Sequence, residues 1–186
     1  MKTIKVKDLM VPLAEYATVS KEATLFDAYT ALEEAQDRLD RDSHAYLHRA
    51  VLVYDEKDKI VGKVNQLDAL KALEPKYAEI GDPVRLSHTG FSVQFLKSIM
   101  ENAALWESPL NDICKKAAGL KVKHFMHTPE QGEFIEAEAT LDEAVHLLIM
   151  GQHQSLLVKE AGEIVGILKL TDVFAQVFHM MKQCGI

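Results

Sequence analysis

The stretch Val6-Lys7-Asp8-Leu9-Met10 decides the fold of this chain, because it returns 116 residues later (122 − 6) as Val122-Lys123-His124-Phe125-Met126. The same offset superposes Ala23-Thr24-Leu25 on Ala139-Thr140-Leu141. Self-similarity that keeps one register over many positions indicates a duplicated structural unit. The sequence therefore predicts two copies of one small fold.

The second part of each copy matches at a shorter offset. Lys59–Gly62 corresponds to Glu163–Gly166 at 104 residues (166 − 62), and Asp68 then falls on Asp172. The first copy therefore carries twelve extra residues (116 − 104), roughly Gln36 to Leu47. Apolar residues continue a helical stripe into this insertion, so we expect a longer first helix that ends in an exposed loop.

Each copy is predicted to run strand, helix, strand, strand, helix. The first helix of each copy opens with a capping box, a hydroxyl followed three residues later by an acid, at Thr24 and at Thr140. Continuous apolar runs before polar turns predict the buried strands of hairpins. The predicted strands and closing helices are Thr18-Val19, Ala50–Tyr54, Ile60–Val64 and Leu67–Leu73 in the first copy, and Phe134-Ile135, Leu156–Val158, Ile164–Leu168 and Thr171–Met181 in the second.

Between the copies lie residues 77–120, too long a stretch for a bare loop in a compact protein. Phe91, Phe95, Leu96 and Ile99 have helical spacing, and Trp106 follows them. Ser108-Pro109 resembles a helix start, and Gly119 resembles a helix end. We predict an ordered helical bridge, whose aromatic stripe either packs inward or docks a partner protein.

Composition excludes several classes of function. The net charge of −7 argues against nonspecific nucleic-acid binding, which requires Lys or Arg at each phosphate. No apolar run approaches a membrane span, and residues 1–8 do not resemble a signal peptide. The two cysteines, Cys114 and Cys184, follow no disulfide or zinc pattern, which is typical of a reducing compartment. We therefore expect a soluble cytoplasmic protein.

These motifs resemble the cystathionine β-synthase (CBS) domain pair, or Bateman module. The shared marks are the Val-x-x-apolar-Met start, the Ala-Thr-Leu helix start, and the Val-Gly strand with an acid six residues after the glycine. The resemblance implies an α/β (α+β) fold of tandem CBS domains, two βαββα repeats related by a pseudo-two-fold axis, with their sheets packed face to face and two clefts between the copies. We assign residues 1–76 and 121–186 to the two domains and 77–120 to the bridge.

The resemblance also implies a ligand class and its site. CBS pairs commonly bind AMP, ADP, ATP or S-adenosylmethionine and often form homodimers. In the family pattern Gly-x-x-Ser/Thr-x-x-Asp, the aspartate holds the ribose hydroxyls and the Ser or Thr faces phosphate. The matching positions, with Thr171 added as a neighbouring hydroxyl, are Gly62, Asn65 and Asp68 in the first copy and Gly166, Lys169 and Asp172 in the second.

Each position also has a purely structural interpretation. Asn65 and Asp68 form an ordinary helix cap with an acid in the first turn, which stabilises a helix without any ligand. Lys169 is a poor cap, so it either contacts phosphate or is solvated while the helix starts later with Thr171 as its cap. The ligand-binding interpretation and the capping interpretation both remain open at this stage.

No catalytic or metal centre is predicted. His44 and His48 lack a carboxylate or cysteine set at ligand spacing, and His124 with His127 resembles a surface pair more than a metal site. Neither a nucleophile elbow nor a phosphate-binding glycine loop occurs. We therefore expect a non-enzymatic regulatory module that needs no cofactor and responds to an adenosine-containing effector. The alternative is a ligand-free dimerisation module that scaffolds a partner protein.

Overall fold

The computed structural model of the chain describes residues 3–38, 47–80, 90–106 and 112–183. Each predicted repeat has the expected order of elements. The first contains β2 (Thr18–Ser20), α1 (Leu25–Asp37), β3 (Ala50–Tyr54), β4 (Ile60–Asn65) and α2 (Gln66–Ala72), and the second contains β5 (Phe134–Glu136), α5 (Leu141–Gly151), β6 (Ser155–Glu160), β7 (Glu163–Lys169) and α6 (Leu170–Gln183). A short strand, β1 (Val11–Pro12), precedes them, and α3 (Val93–Asn102) and α4 (Ile113–Gly119) form the bridge.

The two sheets are built alike. β2 pairs in parallel with β3, which pairs antiparallel with β4, and β5, β6 and β7 repeat this arrangement. Gly62 lies opposite Val53 in the first hairpin, and Gly166 lies opposite Val158 in the second. β1 extends the second sheet to the order β1-β7-β6-β5. The duplicated sequence therefore forms a duplicated sheet.

The strands are continuously apolar because both of their faces are buried. Successive side chains point to opposite faces of a sheet. Val51 and Val53 therefore pack against Ala28 and Leu32 of α1, whereas Leu52 joins Leu157 in the layer between the sheets. The two sheets thus lie face to face, each with its own helices outside.

Both predicted capping boxes are present. The Thr24 hydroxyl oxygen accepts from the Asp27 amide at 3.2 Å, and the Thr140 hydroxyl oxygen accepts from the Glu143 amide at 3.3 Å. α1 has 13 residues against 11 in α5, so the first helix is longer, as predicted. The loop expected after it falls mainly on residues 39–46, which lie outside the described residues.

The two repeats exchange their leading segments, which we call the first arm (residues 3–12) and the second arm (residues 120–127). In the first arm, the Val6 amide donates to the Ala139 carbonyl at 2.9 Å, and in the second arm the Val122 amide donates to the Ala23 carbonyl at 2.8 Å. All four residues are related by the 116-residue offset. The arms therefore obey the pseudo-two-fold axis that relates the repeats.

Ion pairs on the surface are related by the same pseudo-two-fold axis. Glu138 pairs with Lys5 and Lys7 of the first arm, and its equivalent Glu22 pairs with Lys121 and Lys123 of the second. Their lysines lower the pKa of both carboxyls to about 2. Since these groups are exposed, the ion pairs contribute little to stability.

The first helix of the bridge does not follow the expectation that its aromatic stripe packs inward. α3 begins at Val93, where the Ser92 side chain caps it, and none of its residues is buried. Its apolar stripe therefore does not enter the core. Trp106, by contrast, packs on Leu25 and Leu73, and its indole nitrogen donates to the Tyr77 hydroxyl at 3.2 Å.

The second helix of the bridge is α4. α4 ends at Gly119, as predicted, whereas the helix start expected at Ser108-Pro109 lies outside the described residues. None of the helices in the described part of the chain has the length and apolar character needed to span a membrane.

Substitution of the two hairpin glycines tests the arm exchange. An alanine Cβ at Gly166 would lie 2.5 Å from the carbonyl oxygen of Val11, whereas one at Gly62 would lie 2.7 Å from the flexible Met126 sulfur. We expect Gly166→Ala to lower the free energy of unfolding by about 1–3 kcal/mol and Gly62→Ala to lower it less. Urea denaturation measures this, with Gly119→Ala, whose Cβ meets open space, as control. Equal stability of the Gly166 and Gly119 variants would contradict the exchange.

Candidate ligand-binding cleft

A cleft of about 290 Å³ opens between the two repeats. Its wall contains three pairs of residues related by the 104-residue offset, one member from each repeat: Ala50 with Gln154, Asn65 with Lys169, and Leu67 with Thr171. Because both members of each pair face one opening, the cleft lies on the pseudo-two-fold axis. We call it the dyad cleft. It brings together three of the predicted site residues, Asn65, Lys169 and Thr171.

On the first repeat, Asn65 is the cap of α2. Its side-chain oxygen accepts from the Asp68 amide at 2.9 Å, and the Asp68 Oδ2 accepts from the Asn65 amide at 3.0 Å. The Tyr29 hydroxyl donates to the Asn65 carbonyl at 3.2 Å. Burial and the charge of Asp68 raise the pKa of Tyr29 to about 12, so this hydroxyl remains protonated and a donor. The capping role proposed from sequence is therefore present.

On the second repeat, α6 starts at Leu170, so the position equivalent to the Asn65 cap is Lys169. The Lys169 side chain is only 6% exposed, and its Nζ lies 3.2 Å from Oδ2 of Asp172. The alternative in which Lys169 is solvated and Thr171 caps a later helix is therefore wrong. The carboxylate of Asp172 compensates the lysine charge at a helix start, where a cation alone is unfavourable.

The hairpin glycines lie beside the arms, not in the wall of the dyad cleft. Gly166 faces Met10 and Val11, and Gly62 faces Met126 and His127. These are equivalent contacts under the 116-residue offset. Because glycine has no side chain, the backbone of each arm is able to approach the hairpin closely. A role of the two glycines in ligand binding stays a prediction.

Two cationic residues of the cleft were not among the site residues predicted from the sequence. Arg49 and Lys63 line the dyad cleft together with Lys169, and none of the lining residues in the described ranges is acidic. Lys63 aligns with the apolar Ile167 at the 104-residue offset, so a charge at an otherwise buried strand position was the available signal. Arg49 is preceded by residues of the insertion and has no comparable signal.

Lys63 belongs to a buried charged cluster. Its Nζ contacts one carboxylate oxygen of Glu133, and the other oxygen contacts Nε2 of His127. Burial alone would raise the pKa of Glu133, but hydrogen bonds with His127 and Lys63 outweigh it and lower the pKa to about 2. The equivalent positions in the other repeat hold Ile167, Ala17 and Val11, so the cluster breaks the pseudo-symmetry.

The other histidines do not assemble into a metal site. His48 is buried, with its ring centroid 4.3 Å from that of Tyr16, and His44 lies outside the described residues. Within residues 3–38, 47–80, 90–106 and 112–183, no group of three or more His, Cys, Asp or Glu side chains could hold a metal ion. Burial raises the pKa of Tyr16, and the charge of Asp172 adds a smaller increase.

Removal of Glu133 tests the buried cluster. The pKa of Glu133 is depressed, so its contribution to stability is complete above its ordinary value of 4.5 and is lost as the pH falls toward about 2. We expect Glu133→Ala to leave Lys63 buried without its carboxylate, lowering the free energy of unfolding at pH 7 by about 3 kcal/mol or more. It should also flatten the decline of stability below pH 4.5, though only in part, since Glu22 and Glu138 titrate there too.

The control for this variant uses the residues of the other repeat. The triple substitution Lys63→Ile, His127→Val and Glu133→Ala replaces the whole cluster by its apolar counterparts, and replacement of a buried ion pair by packed apolar groups is often neutral. Urea denaturation between pH 2 and pH 8 compares the two variants. If the single substitution cost no more stability than the triple one, the cluster would not be an ion pair of structural importance.

Comparison with known proteins identifies the family to which this fold belongs. The model of the CBS domain matches residues 6–75 and 122–179. Among solved structures, the CBS-pair protein CBSX2 from Arabidopsis thaliana is similar over 97% of this chain and 99% of its own, at 20% identity and a TM-score of 0.60.

Two further solved structures show the same fold. CBSX2 in complex with AMP matches over 95% of this chain and 98% of its own, at 18% identity and a TM-score of 0.57. The CBS domain of the bacterial CNNM/CorC family Mg²⁺ transporter in complex with ATP matches over 94% and 87%, at 20% identity and a TM-score of 0.56. The curated proteins contain no match. With the family model covering both repeats, this chain belongs to the CBS domain family and contains a pair of CBS domains.

Proposed function

We propose that this chain is a non-enzymatic regulatory module of the cytoplasm that binds an adenosine-containing ligand between its two CBS domains. The domains are residues 1–76 and 121–186, joined by the bridge at 77–120. The observation that carries the proposal is the dyad cleft, where the ends of β4 and β7 bring equivalent residues of both repeats to one opening. A ligand bound there contacts both repeats at once.

The chemistry of the dyad cleft suits a nucleotide. Asp68 and Asp172 are not in the wall of the dyad cleft, but each lies three residues after a wall residue, Asn65 or Lys169. Each is acceptor-only when ionised and is therefore able to hold the two vicinal hydroxyls of a ribose that extends from the cleft. Arg49, Lys63 and Lys169 supply positive charge for phosphate, and the Thr171 hydroxyl adds a donor. Gly62 and Gly166 precede Lys63 and Lys169 on β4 and β7, where they allow close packing of the arms. AMP, ADP, ATP and S-adenosylmethionine are therefore the candidate effectors.

Structural relatives support this ligand class. CBSX2 has been solved with AMP and the CNNM/CorC transporter domain with ATP. Regulation follows from the position of the dyad cleft, since a ligand that binds one packing of the repeats more tightly shifts the population toward it. A partner or a second chain that contacts both repeats would sense this shift.

Replacement of the ribose carboxylate tests the proposal. A hydrogen bond to a charged group contributes about 1.5–3 kcal/mol, so Asp68→Asn should weaken binding of the effector at least tenfold. Isothermal titration calorimetry with AMP, ADP, ATP and S-adenosylmethionine measures this. Asp27→Asn is the matched control, because Asp27 has the same capping role on α1, a helix that contributes no residue to the wall of the dyad cleft, whereas the start of α2 contributes Gln66 and Leu67. Failure of all four compounds to bind at millimolar concentration would refute the proposal.

The alternative function is a ligand-free dimerisation module that scaffolds a partner protein. Its support is an apolar face on the helices: Phe174, Phe178 and Met181 recur at helical spacing on α6 and are 63%, 49% and 54% exposed. Leu67 and Leu70 of α2 are also more than half exposed. We propose a homodimer formed through these faces, which is compatible with either function.

Size-exclusion chromatography with light scattering tests the homodimer. Phe178→Asp places a charge in the proposed interface, where burial without a partner is unfavourable, and should shift the dimer to a monomer. Val93→Asp on α3 is the control, since Val93 is equally apolar and 71% exposed but lies on another helix. A wild-type chain that elutes as a monomer at all concentrations would exclude the homodimer. An obligate dimer that binds none of the four compounds would favour the scaffolding function.

A further inference from the structure

The short helix α2 extends from the dyad cleft to the bridge. The wall of the cleft contains the cap and the first two residues of this helix, which are Asn65, Gln66 and Leu67. The helix has seven residues, so its two ends are about 10 Å apart. At the far end the chain leaves the helix at Glu74, where φ is −133° and ψ is 85°, because the residue before a proline disfavours helical geometry. Glu74 therefore moves with any displacement of α2 at the cleft.

The residues after α2 hold the chain that follows α3 through three hydrogen bonds, which we call the bridge anchor. Oε2 of Glu74 accepts from the backbone amide of Trp106 at 2.8 Å, and Nζ of Lys76 donates to the carbonyl of Ala104 at 2.7 Å. The indole nitrogen of Trp106 donates to the Tyr77 hydroxyl at 3.2 Å. Glu74 is buried, at 5% exposure, and a hydrogen bond to a charged acceptor is stronger than one to a neutral group. Glu74 is thus the centre of the anchor.

The bridge residues in this anchor have strained backbones. The φ angles of Ala104 and Trp106 are 50° and 61°, in the left-handed region that disfavours residues with a side chain. Such conformations persist only where the surrounding contacts hold them. Two hydrogen bonds of the anchor bind Trp106 and the third binds Ala104, so both strained residues are held. Loss of the anchor therefore allows this part of the bridge to relax.

Side-chain packing makes a second connection between the dyad cleft and Trp106. Trp106 and Tyr29 both pack against the cluster formed by Leu25, Ala69 and Leu73. The hydroxyl of Tyr29 donates to the carbonyl of Asn65 at 3.2 Å, and Asn65 lines the cleft. The environment of Trp106 therefore depends on the position of both ends of α2.

The position of α2 is open to change on ligand binding. Leu67 and Leu70 are 59% and 58% exposed in the single chain, so solvent lies along one side of the helix. Small-molecule sites span roughly 300–1,000 Å³, and the dyad cleft, at about 290 Å³, is at the lower end of this range. A ligand of nucleotide size therefore favours a wider cleft, in which α2 lies further toward solvent. That displacement moves Glu74 away from Trp106.

The bridge anchor belongs to the first repeat. In the second repeat the position equivalent to Glu74 at the 104-residue offset is Phe178, which lies inside α6 and does not end it. We propose that the bridge reports occupancy of the dyad cleft: a bound ligand displaces α2, weakens the bridge anchor and releases the end of α3. This proposal deepens the proposed function and rests on it. It gives the bridge, which carries an apolar stripe on α3, a role in regulation.

Fluorescence of Trp106 tests the proposal in one direction, because Trp106 is the only tryptophan of the chain. Each of AMP, ADP, ATP and S-adenosylmethionine that binds in calorimetry should, at saturation, increase the quenching of Trp106 by acrylamide. Excitation at a wavelength that adenine does not absorb keeps the ligand from contributing to the signal. Asp68→Asn is the control that ties the signal to the cleft, since it should require about tenfold more ligand for the same change.

Removal of the anchor tests the proposal in the other direction. Glu74→Ala leaves the amide of Trp106 without its acceptor, so α2 moves outward at a lower cost before any ligand arrives. A ligand that favours the displaced helix then binds more tightly, and we expect the affinity to increase about fivefold, which is at the lower end of ordinary coupling between two sites. Glu79→Ala, which removes an equal but exposed charge from the same turn, should leave the affinity unchanged. Isothermal titration calorimetry measures both variants.

A second variant covers the case in which Glu74→Ala does not fold. Tyr77→Phe removes only the hydroxyl that accepts from the indole of Trp106, and it should raise the affinity in the same direction by a smaller factor. An unchanged or lower affinity in every folded anchor variant would overturn the connection and leave the proposed function standing. So would a bound ligand that does not alter the quenching of Trp106. Absence of binding by all four compounds would overturn both.

Discussion

The backbone hydrogen bonds that join each arm to the opposite repeat are the interaction on which the rest of the structure depends. Val6 donates to Ala139 at 2.9 Å and Val122 donates to Ala23 at 2.8 Å, so each repeat is completed by the leading segment of the other. Buried backbone groups require partners, and these bonds therefore fix the distance and register of the two sheets. With the sheets held in this register, the ends of β4 and β7 bring the starts of α2 and α6 to one cleft.

Local patterns made most of this fold predictable. Capping boxes at Thr24 and Thr140 and the apolar strands act over a few residues, so the order of elements and the two copies could be inferred from the sequence. The arm exchange could not, since Val11 pairs with Ile167 and no periodicity links residues so far apart. The stripe on α3 shows that one face is apolar but does not say whether anything covers it.

The candidate site was predicted only in part, for a similar reason. Asn65 and Asp68 follow a motif with fixed spacing, and their mutual capping bonds are local. Lys63, however, is paired with Glu133 in the other repeat, and the pattern of its strand does not indicate that partner. Duplication keeps the backbone of both halves alike while substitutions at equivalent positions make their chemistry different. Comparison of Asn65 with Lys169 therefore says more about function here than either residue alone.

The arm exchange also has a consequence for synthesis on the ribosome. The strand partner of Val11, Ile167, is made 156 residues later (167 − 11). Closure of such a long loop carries an entropic cost that precedes the gain from contact, which slows folding. The nascent first repeat must therefore leave its arm unpaired until residues 137–141 have been made, and β1 must wait until β7 has been made. During that interval the apolar residues of the arm and β1 are exposed, so this is when a chaperone that shields such segments would act on the chain.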